Sequence, residues 1–243
     1  MPTHYLAKLT SPKRTARSNL HLGATLAVIA GALNAGGFLA IGQYTSHMTG
    51  IISSASDYLI LGKFVPAFAA IFMLIAFTWG AACTALIVNY AKRNNMRYIY
   101  TPVLWLEAGL LLVFGLVGSQ LREHEVITVS FTAILLCYVM GLQNALITKI
   151  SNAVIRTTHV TGLVTDLGIE LGKMIYWNRT QTHANENNVA ANHYKLHLYS
   201  TLIGAFFIGG LLGAAGFKYL GFISTLPLAA ALILLSIAPR FSD

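Results

Sequence analysis

The chain has 243 residues, of which only 10% are charged and 56% are hydrophobic. A soluble domain averages about 25% charged residues, so this composition excludes a water-exposed surface for most of the chain. The net charge is +8, but the basic residues stand singly or in small groups between apolar segments, so we expect no nucleic-acid partner. Cys83 and Cys137 both lie in apolar segments, which favours buried thiols over a disulfide framework or a metal site.

A polar and basic stretch, residues 1–19, precedes the first apolar segment and is expected to form a cytoplasmic tail. Six of the apolar segments that follow are about as long as the roughly 20 residues that span a bilayer as a helix. Two others are shorter and carry polar side chains. The long segments are 20–44, 64–90, 99–119, 126–148, 196–217 and 221–238, and the short ones are 48–62 and 160–176.

The distribution of Lys and Arg distinguishes two topologies, because these residues are enriched in cytoplasmic loops. If all eight segments cross the membrane from a cytoplasmic N-terminus, ten of the 16 basic residues lie inside. If the two short segments are re-entrant, only Lys63, Arg122 and Lys218 lie outside and 13 lie inside. We therefore expect an all-α polytopic membrane bundle of about six spanning helices plus two short re-entrant or half helices.

Two stretches of the chain contain the same rare residues in the same order. An Asn is followed by a His-x-Thr-Gly element and then by Leu-Gly-Lys, with 29 residues from Asn to Lys in both copies. This order predicts a duplication with membrane repeats at 20–119 and 126–238, and the alternative is chance matching of common residues. Three crossings per repeat make the halves inverted, which is a transporter architecture. The elements are Asn34, 47–50 and Lys63 in the first copy and Asn144, 159–162 and Lys173 in the second, displaced by 110, 112 and 110 positions.

Four sequence motifs carry a family resemblance. They are GALNAGGFLAIG at 31–42, SHMTG at 46–50, MGLQNA at 140–145 and RTTHVTG at 156–162. Together they closely resemble the bacterial YoaK family of membrane proteins, which has a Met-Thr-Gly signature after its first helix. The resemblance covers about residues 20 to 238 and implies a multi-pass protein of the bacterial inner membrane, but no established activity.

The chain departs from that family at two positions. The family commonly has an Asp near position 34 and an Asn after the first Thr-Gly, where this chain has Asn34 and Ile51. A role that requires a carboxylate in the first helix therefore does not carry over to this chain.

Ionisable side chains inside a membrane are costly, so each acidic residue of the apolar segments is a functional candidate. Asp57 stands alone in the first short segment and is a candidate substrate contact. Asp166 and Glu170 are four residues apart and share a helix face that could line a cation or proton path. The alternative is that both pair with Lys173 or Arg179. Glu107 is isolated in a long apolar segment, where we expect snorkelling or pairing.

Each His-x-Thr-Gly element is expected to begin a short helix. Hydroxyl residues cap helix N-termini, and glycine permits close approach of a backbone or ligand. The positive end of each helix dipole would face the protein interior and could hold an anion or carboxylate, with the His side chains as donors. The alternative is that these residues only terminate and pack the helices. The candidates are His47, Thr49 and Gly50 in the first element and His159, Thr161 and Gly162 in the second, with Ser46 and Thr158 as further caps.

Asn34 and Asn144 fall in the middle of predicted long helices and are candidate substrate contacts, although helix adhesion is the commoner use of such residues. The pair Gly36 and Gly37 is expected to loosen the first helix beside Asn34. A small-residue surface for packing or for homo-oligomerisation is expected in the segment 196–217. It consists of the glycines at 204, 209, 210, 213 and 216.

These features predict a secondary transporter or permease for a small polar or anionic solute, with a proton as a second candidate ligand and the lipid bilayer as its surroundings. No ATP-binding motif, nucleophile elbow or metal motif is present, so we expect neither an enzyme nor a cofactor. The alternative function is a non-transporting membrane assembly or sensor protein that acts through helix–helix contacts.

Overall fold

A computed structural model describes the chain at residues 16–119, 125–151, 157–176 and 189–237, and all regular secondary structure within these ranges is helical. The first half contains α1 (Ala16–Ile41), the short α2 (Met48–Ile60), α3 (Phe64–Arg93) and α4 (Thr101–Ser119). The second half contains α5 (Glu125–Ile150), the short α6 (Val160–Ile175), α7 (His193–Leu220), a 3-10 turn (Gly221–Ser224) and α8 (Thr225–Ile237). Most of the predicted tail and the loop containing Arg122 lie outside the described residues.

Glycines with positive φ end three of the helices. Gly42 follows α1 with φ of 71°, Gly62 follows α2 with φ of 69°, and Gly221 follows α7 with φ of 61°. A residue with a Cβ is strained in this left-handed region, which is why glycine commonly follows the last residue of a helix. Because α1 ends at Ile41, the predicted segment 20–44 extends three residues beyond the helix.

Two buried apolar clusters mark the two ends of the bundle. One contains Ile41 from the end of α1, Phe114 from late α4 and Phe217 from late α7, together with residues from early α3 and early α5. We call this the Ile41 end. The other contains Ile150 from the end of α5, with residues from late α3, late α8 and the beginnings of α1, α4 and α7. We call it the Ile150 end. Helices α1, α4 and α7 therefore run toward the Ile41 end, and α3, α5 and α8 run away from it.

Contacts between individual helices agree with these directions. Gln143 of α5 donates to the Leu26 carbonyl at 3.3 Å, and Gly37 lies against Leu136, so α1 and α5 are antiparallel. Helices α4 and α8 are also antiparallel, because Thr101 donates to the Ser236 carbonyl at 3.3 Å while late α4 lies against the beginning of α8.

Each half packs its third helix against the first helix of the other half, so that α7 lies on α1 and α3 lies on α5. Glycines allow close backbone approach at both contacts. In the α1–α7 pair, a methyl group on Gly31 would overlap the Phe206 carbonyl and one on Gly209 would overlap the Val28 carbonyl. The α3–α5 pair repeats the pattern, with Gly141 against the Phe77 carbonyl and Gly80 against the Tyr138 carbonyl.

Five helical segments among the described residues are long and apolar enough to cross a membrane. They are Leu20–Ile41, Phe64–Arg93, Thr101–Gly118, Ser130–Ile150 and His193–Ile237. The last contains both α7 and α8, which run in opposite directions on either side of the 3-10 turn. The outward surface of the bundle is also apolar, since Trp79, Leu86 and Leu116 are each about two-thirds exposed. The fold is that of a polytopic helical membrane protein, surrounded by lipid.

One expectation about glycines is wrong, and the packing alternative for the α7 glycines is confirmed at two positions. Gly36 and Gly37 do not loosen α1, which continues without interruption to Ile41 because Phe217 and Leu136 pack against these glycines. The glycine surface of α7 is not free to bind a second copy at Gly209 and Gly213, since both lie against the α1 backbone of the same chain. Gly204 has open space beside it.

Candidate functional site

The chain turns back into the bundle after α1 ends. Gly42 reverses its direction, and residues 43–47 return along α1 until Ser46 reaches Asn34, which lies about two turns before the helix end. The Asn34 Oδ1 accepts hydrogen bonds from the Ser46 backbone N–H at 3.2 Å and from the Ser46 hydroxyl at 2.8 Å. The short helix α2 therefore begins inside the bundle and not at its surface.

The second half makes the same connection. The Thr158 hydroxyl donates to the Asn144 Oδ1 at 2.6 Å, while the Asn144 amide group donates to the Met140 carbonyl at 3.0 Å. Helix α6 thus also begins beside a long helix, about two turns before the end of α5. Asn34 and Asn144 hold the segments that lead into the short helices, and the sequence did not identify Ser46 and Thr158 as their partners.

A His occupies the N-cap position of both short helices. Neither His47 nor His159 caps its helix through its side chain, so the predicted capping by hydroxyl side chains is wrong at both sites. Ser46 and Thr158 instead donate to the asparagines. Each imidazole folds over the first turn of its helix, against Gly50 or Gly162 respectively, in space that a Cβ on the glycine would occupy.

Two cavities lie where the N-termini of α2 and α6 approach each other. The Asn34 cavity, about 330 Å³ in volume, is lined by Asn34, Tyr44 and Phe206 in addition to residues of both short-helix N-termini. The Asn144 cavity, about 290 Å³, is lined by Phe77, Asn144 and Thr148 in addition to the same N-termini. Five residues line both cavities, namely Ser46, His47, Thr158, Val160 and Thr161.

The two cavities lie at different depths in the bundle. Asn34 lies about two turns from the Ile41 end of α1, and Asn144 lies about two turns from the Ile150 end of α5. Since α1 and α5 are antiparallel, the Asn34 cavity lies toward the Ile41 end and the Asn144 cavity toward the Ile150 end. The shared residues lie between them, so the N-termini of α2 and α6 occupy the middle of the bundle.

No residue that lines either cavity carries an acidic or permanently basic group. His47, Thr49, His159 and Thr161 are exposed to the cavities and supply hydrogen-bond donors and acceptors. The backbone N–H groups of a first helical turn have no partner within their own helix. This chemistry is suited to a small polar molecule or an anion, and it contains no counter-charge for an isolated cation.

The three acidic candidates lie away from both cavities. Asp57 is exposed near the end of α2. Glu170 is buried, pairs with Lys173 at 2.9 Å and accepts a hydrogen bond from the Asn192 backbone N–H at 2.7 Å at the start of α7. The pairing alternative is therefore confirmed for Glu170, which joins α6 to α7. Asp166 is exposed and lies near the Tyr199 hydroxyl.

Sequence reasoning missed two further features. Thr45 and Thr157 are fully buried, and neither hydroxyl has a hydrogen-bond partner among the described residues. They precede Ser46 and Thr158, so the repeated motif extends to Thr-[Ser/Thr]-His-x-Thr-Gly, and aligning the two copies one position earlier would have found them.

The second feature is Glu107, which is fully buried in α4 with both carboxylate oxygens unpartnered within the described chain. The expected snorkelling or pairing of Glu107 is therefore wrong.

The fold and the cavities define a polytopic helical membrane protein with a polar centre formed by two short internal helices. The chain belongs to the family described as protein of unknown function (DUF1275), whose model matches residues 22–238. It is 27% identical over 184 residues to the UPF0700 transmembrane protein YoaK of Bacillus subtilis (strain 168), a match that covers 74% of this chain and 80% of that protein. The family resemblance stated from the motifs is thereby confirmed. No solved structure matches the chain.

Proposed function

We propose that this protein is a secondary transporter or permease for a small polar or anionic solute, built from two inverted halves. The observation that carries the proposal is the pair of cavities that share five residues at the N-termini of α2 and α6. One cavity lies toward each end of the bundle, so the shared residues stand where a solute would pass between them.

Two kinds of contact support inverted halves with six crossings. The equivalent helices α1 and α5 are antiparallel, as are α4 and α8, whereas eight alternating crossings would make each pair parallel. The glycine contacts also repeat residue by residue. Gly31 and Gly141 are 110 positions apart, as in the Asn motifs, and they contact Phe206 and Phe77, which are 129 positions apart.

The two helix dipoles support an anionic or strongly polar solute. An α-helix carries about half a positive elementary charge at its N-terminus, and here two N-termini face one region without an acidic lining residue. Discontinuous helices whose N-termini face an anionic group near the bilayer midplane are a known transporter device. We further propose that the N-terminus is cytoplasmic in a bacterial plasma membrane, on the basis of the Lys and Arg distribution.

The experiment that tests this function uses purified wild-type protein and a panel of small anions and amino acids. A ligand that binds only the folded protein raises its thermal stability in proportion to ln(1 + [L]/Kd). We expect at least one anion or amino acid to raise the melting temperature and then to be taken up by proteoliposomes. Absence of stabilisation and uptake across the whole panel would contradict the proposal and favour the assembly or sensor alternative.

Replacement of both imidazoles localises the solute. The double variant His47→Ala with His159→Ala removes two exposed donors from the cavities, and a hydrogen bond to a charged group contributes about 1.5–3 kcal/mol. We therefore expect the affinity for the stabilising solute to fall by about tenfold or more, measured by titration of the thermal shift. Asp57→Asn is the control, because Asp57 lies outside both cavities. Equal affinities in the double variant and the wild type would contradict this location.

A further inference from the structure

Glu107 is a fully buried acid in α4 that the proposed solute path does not use. Its side chain is 0% exposed, and neither carboxylate oxygen has a hydrogen-bond partner among the residues that the structure describes. Its immediate helix neighbours Val103, Leu104, Ala108 and Leu111 are buried in the apolar cluster of the Ile150 end. A carboxylate without a counter-charge or donor is strongly disfavoured in such surroundings.

The elements packed against α4 provide no cation at the level of Glu107. They are α3, α5, the 3-10 turn and α8, and α8 and the 3-10 turn contain no ionisable residue. The lysines and the arginine of α3 and α5 stand in the last turns of those helices. The remaining ionisable groups of α3 and α5 are cysteine thiols, tyrosine hydroxyls and the terminal Glu125. They are Cys83, Tyr90, Cys137, Tyr138 and Glu125.

A second buried acceptor lies on a helix that packs against α4. Gln143 of α5 donates its amide group to the Leu26 carbonyl, but its Oε1 has no partner within the described chain. Glu107 and Gln143 thus contribute three buried oxygen acceptors without a donor. A carboxylic acid carries one O–H donor, whereas a carboxylate carries none. A proton on Glu107 therefore removes the charge that its buried apolar surroundings disfavour and gives the side chain a donor of its own.

We propose that Glu107 is a proton-binding site, occupied in the state described here, and that release of this proton is coupled to movement of the solute. Helix α5 packs against α4, which contains Glu107, and Asn144 of α5 lines the cavity toward the Ile150 end. A shift of α5 at the cavity therefore also changes the surroundings of the acid. The binding site itself depends only on Glu107, whereas its coupling rests on the proposed transport function.

Infrared spectroscopy of the full chain in lipid tests the proton site without any solute. The wild type is expected to show the carbonyl stretch of a protonated carboxylic acid at neutral pH, and Glu107→Gln is expected to lose it. Asp57→Asn removes an exposed acid and should keep the band. Absence of the band in the wild type, or its persistence in Glu107→Gln, would overturn the proposal. If Glu107→Gln cannot be reconstituted, Glu107→Asp serves instead, and a band that is unchanged in position and in pH dependence would overturn it.

Uptake under a pH gradient tests the coupling separately. A gradient should stimulate uptake by the wild type, and Glu107→Gln should lose this stimulation while still exchanging solute without a gradient. Equal stimulation in both proteins would overturn the coupling. If the wild type takes up no solute at all, the proposed transport function fails, and the infrared band still decides whether Glu107 binds a proton.

Discussion

At the scale of single residues, the two asparagines are the most informative positions. Asn34 receives two hydrogen bonds from Ser46, and Asn144 receives one from Thr158. In each case the side-chain oxygen is the acceptor, so the orientation of the Asn34 amide follows from the Ser46 backbone N–H, which can only donate. The segment before each short helix is therefore fixed by an oxygen acceptor on a long helix.

We predict that Asn34→Asp keeps this connection and Asn34→Leu breaks it. An aspartate retains the acceptor oxygen. Leucine leaves the Ser46 donors unpaired, which costs about 1–3 kcal/mol. The melting temperature of the purified variants measures the difference, with the exposed Asn89→Leu as control. A melting temperature of Asn34→Leu equal to that of the wild type would contradict the role of this hydrogen bond.

The sequence identified the polar residues of the bundle interior but did not predict which residues they contact. Rare residues in the same order identified Asn34, His47, Asn144 and His159 as a set, because an intramembrane polar side chain is costly and seldom incidental. Their partners depend on how far the chain turns back after α1, which is decided by tertiary packing. Glu107 was misjudged for the same reason, since nothing in its own segment indicates which face of the long apolar helix around it is buried in the bundle.

At the scale of helices, the bundle depends on two glycine contacts that bring long helices close together. Gly31 and Gly209 join α1 to α7, and Gly80 and Gly141 join α3 to α5. Small residues allow this approach, and packing of this kind replaces the hydrophobic effect as the cause of helix association in lipid. The sequence predicted the small-residue surface of α7 but left open whether it serves packing or oligomerisation, because the covering helix α1 is distant along the chain.

We predict that Gly141→Ala destabilises the protein although alanine is the better helix former. The added methyl group would overlap the Phe77 carbonyl, and overpacking of a buried contact costs about 1–3 kcal/mol. Gly204→Ala is the matched control, because a methyl group meets open space there and alanine in a helix gains about 0.5–1 kcal/mol over glycine. Melting temperatures in detergent measure both. A Gly141→Ala variant at least as stable as Gly204→Ala would contradict the close contact.

At the scale of the whole molecule, the antiparallel directions of α1 and α5 and of α4 and α8 support two inverted halves. The sequence alone reached six crossings plus two short helices by comparing the positions of Lys and Arg in two topologies. It also predicted each α-helix among the described residues, since long apolar runs and polar short runs differ plainly in composition. It could not show that the two short helices begin beside each other. That arrangement depends on tertiary packing, in which α3 of the first half lies on α5 and α7 of the second half lies on α1.

One pair of positions, Leu61 and Tyr176, distinguishes the two topologies most directly. Leu61 lies at the end of α2 and Tyr176 at the end of α6, and both are well exposed. Inverted halves with re-entrant short helices put these residues on opposite sides of the membrane. Eight crossings put them on the same side, with α2 and α6 both running inward.

Two-sided labelling of single cysteines measures this difference in intact cells or oriented vesicles. Leu61→Cys and Tyr176→Cys are introduced separately into a background that lacks Cys83 and Cys137, and each is treated with a membrane-impermeant thiol reagent from one side and then the other. Tyr219→Cys is the reference for the outer side, because both topologies put it there. We predict that position 61 is labelled from outside, together with position 219, and that position 176 is labelled only from the cytoplasm. Labelling of positions 61 and 176 from the same side would contradict the inverted architecture.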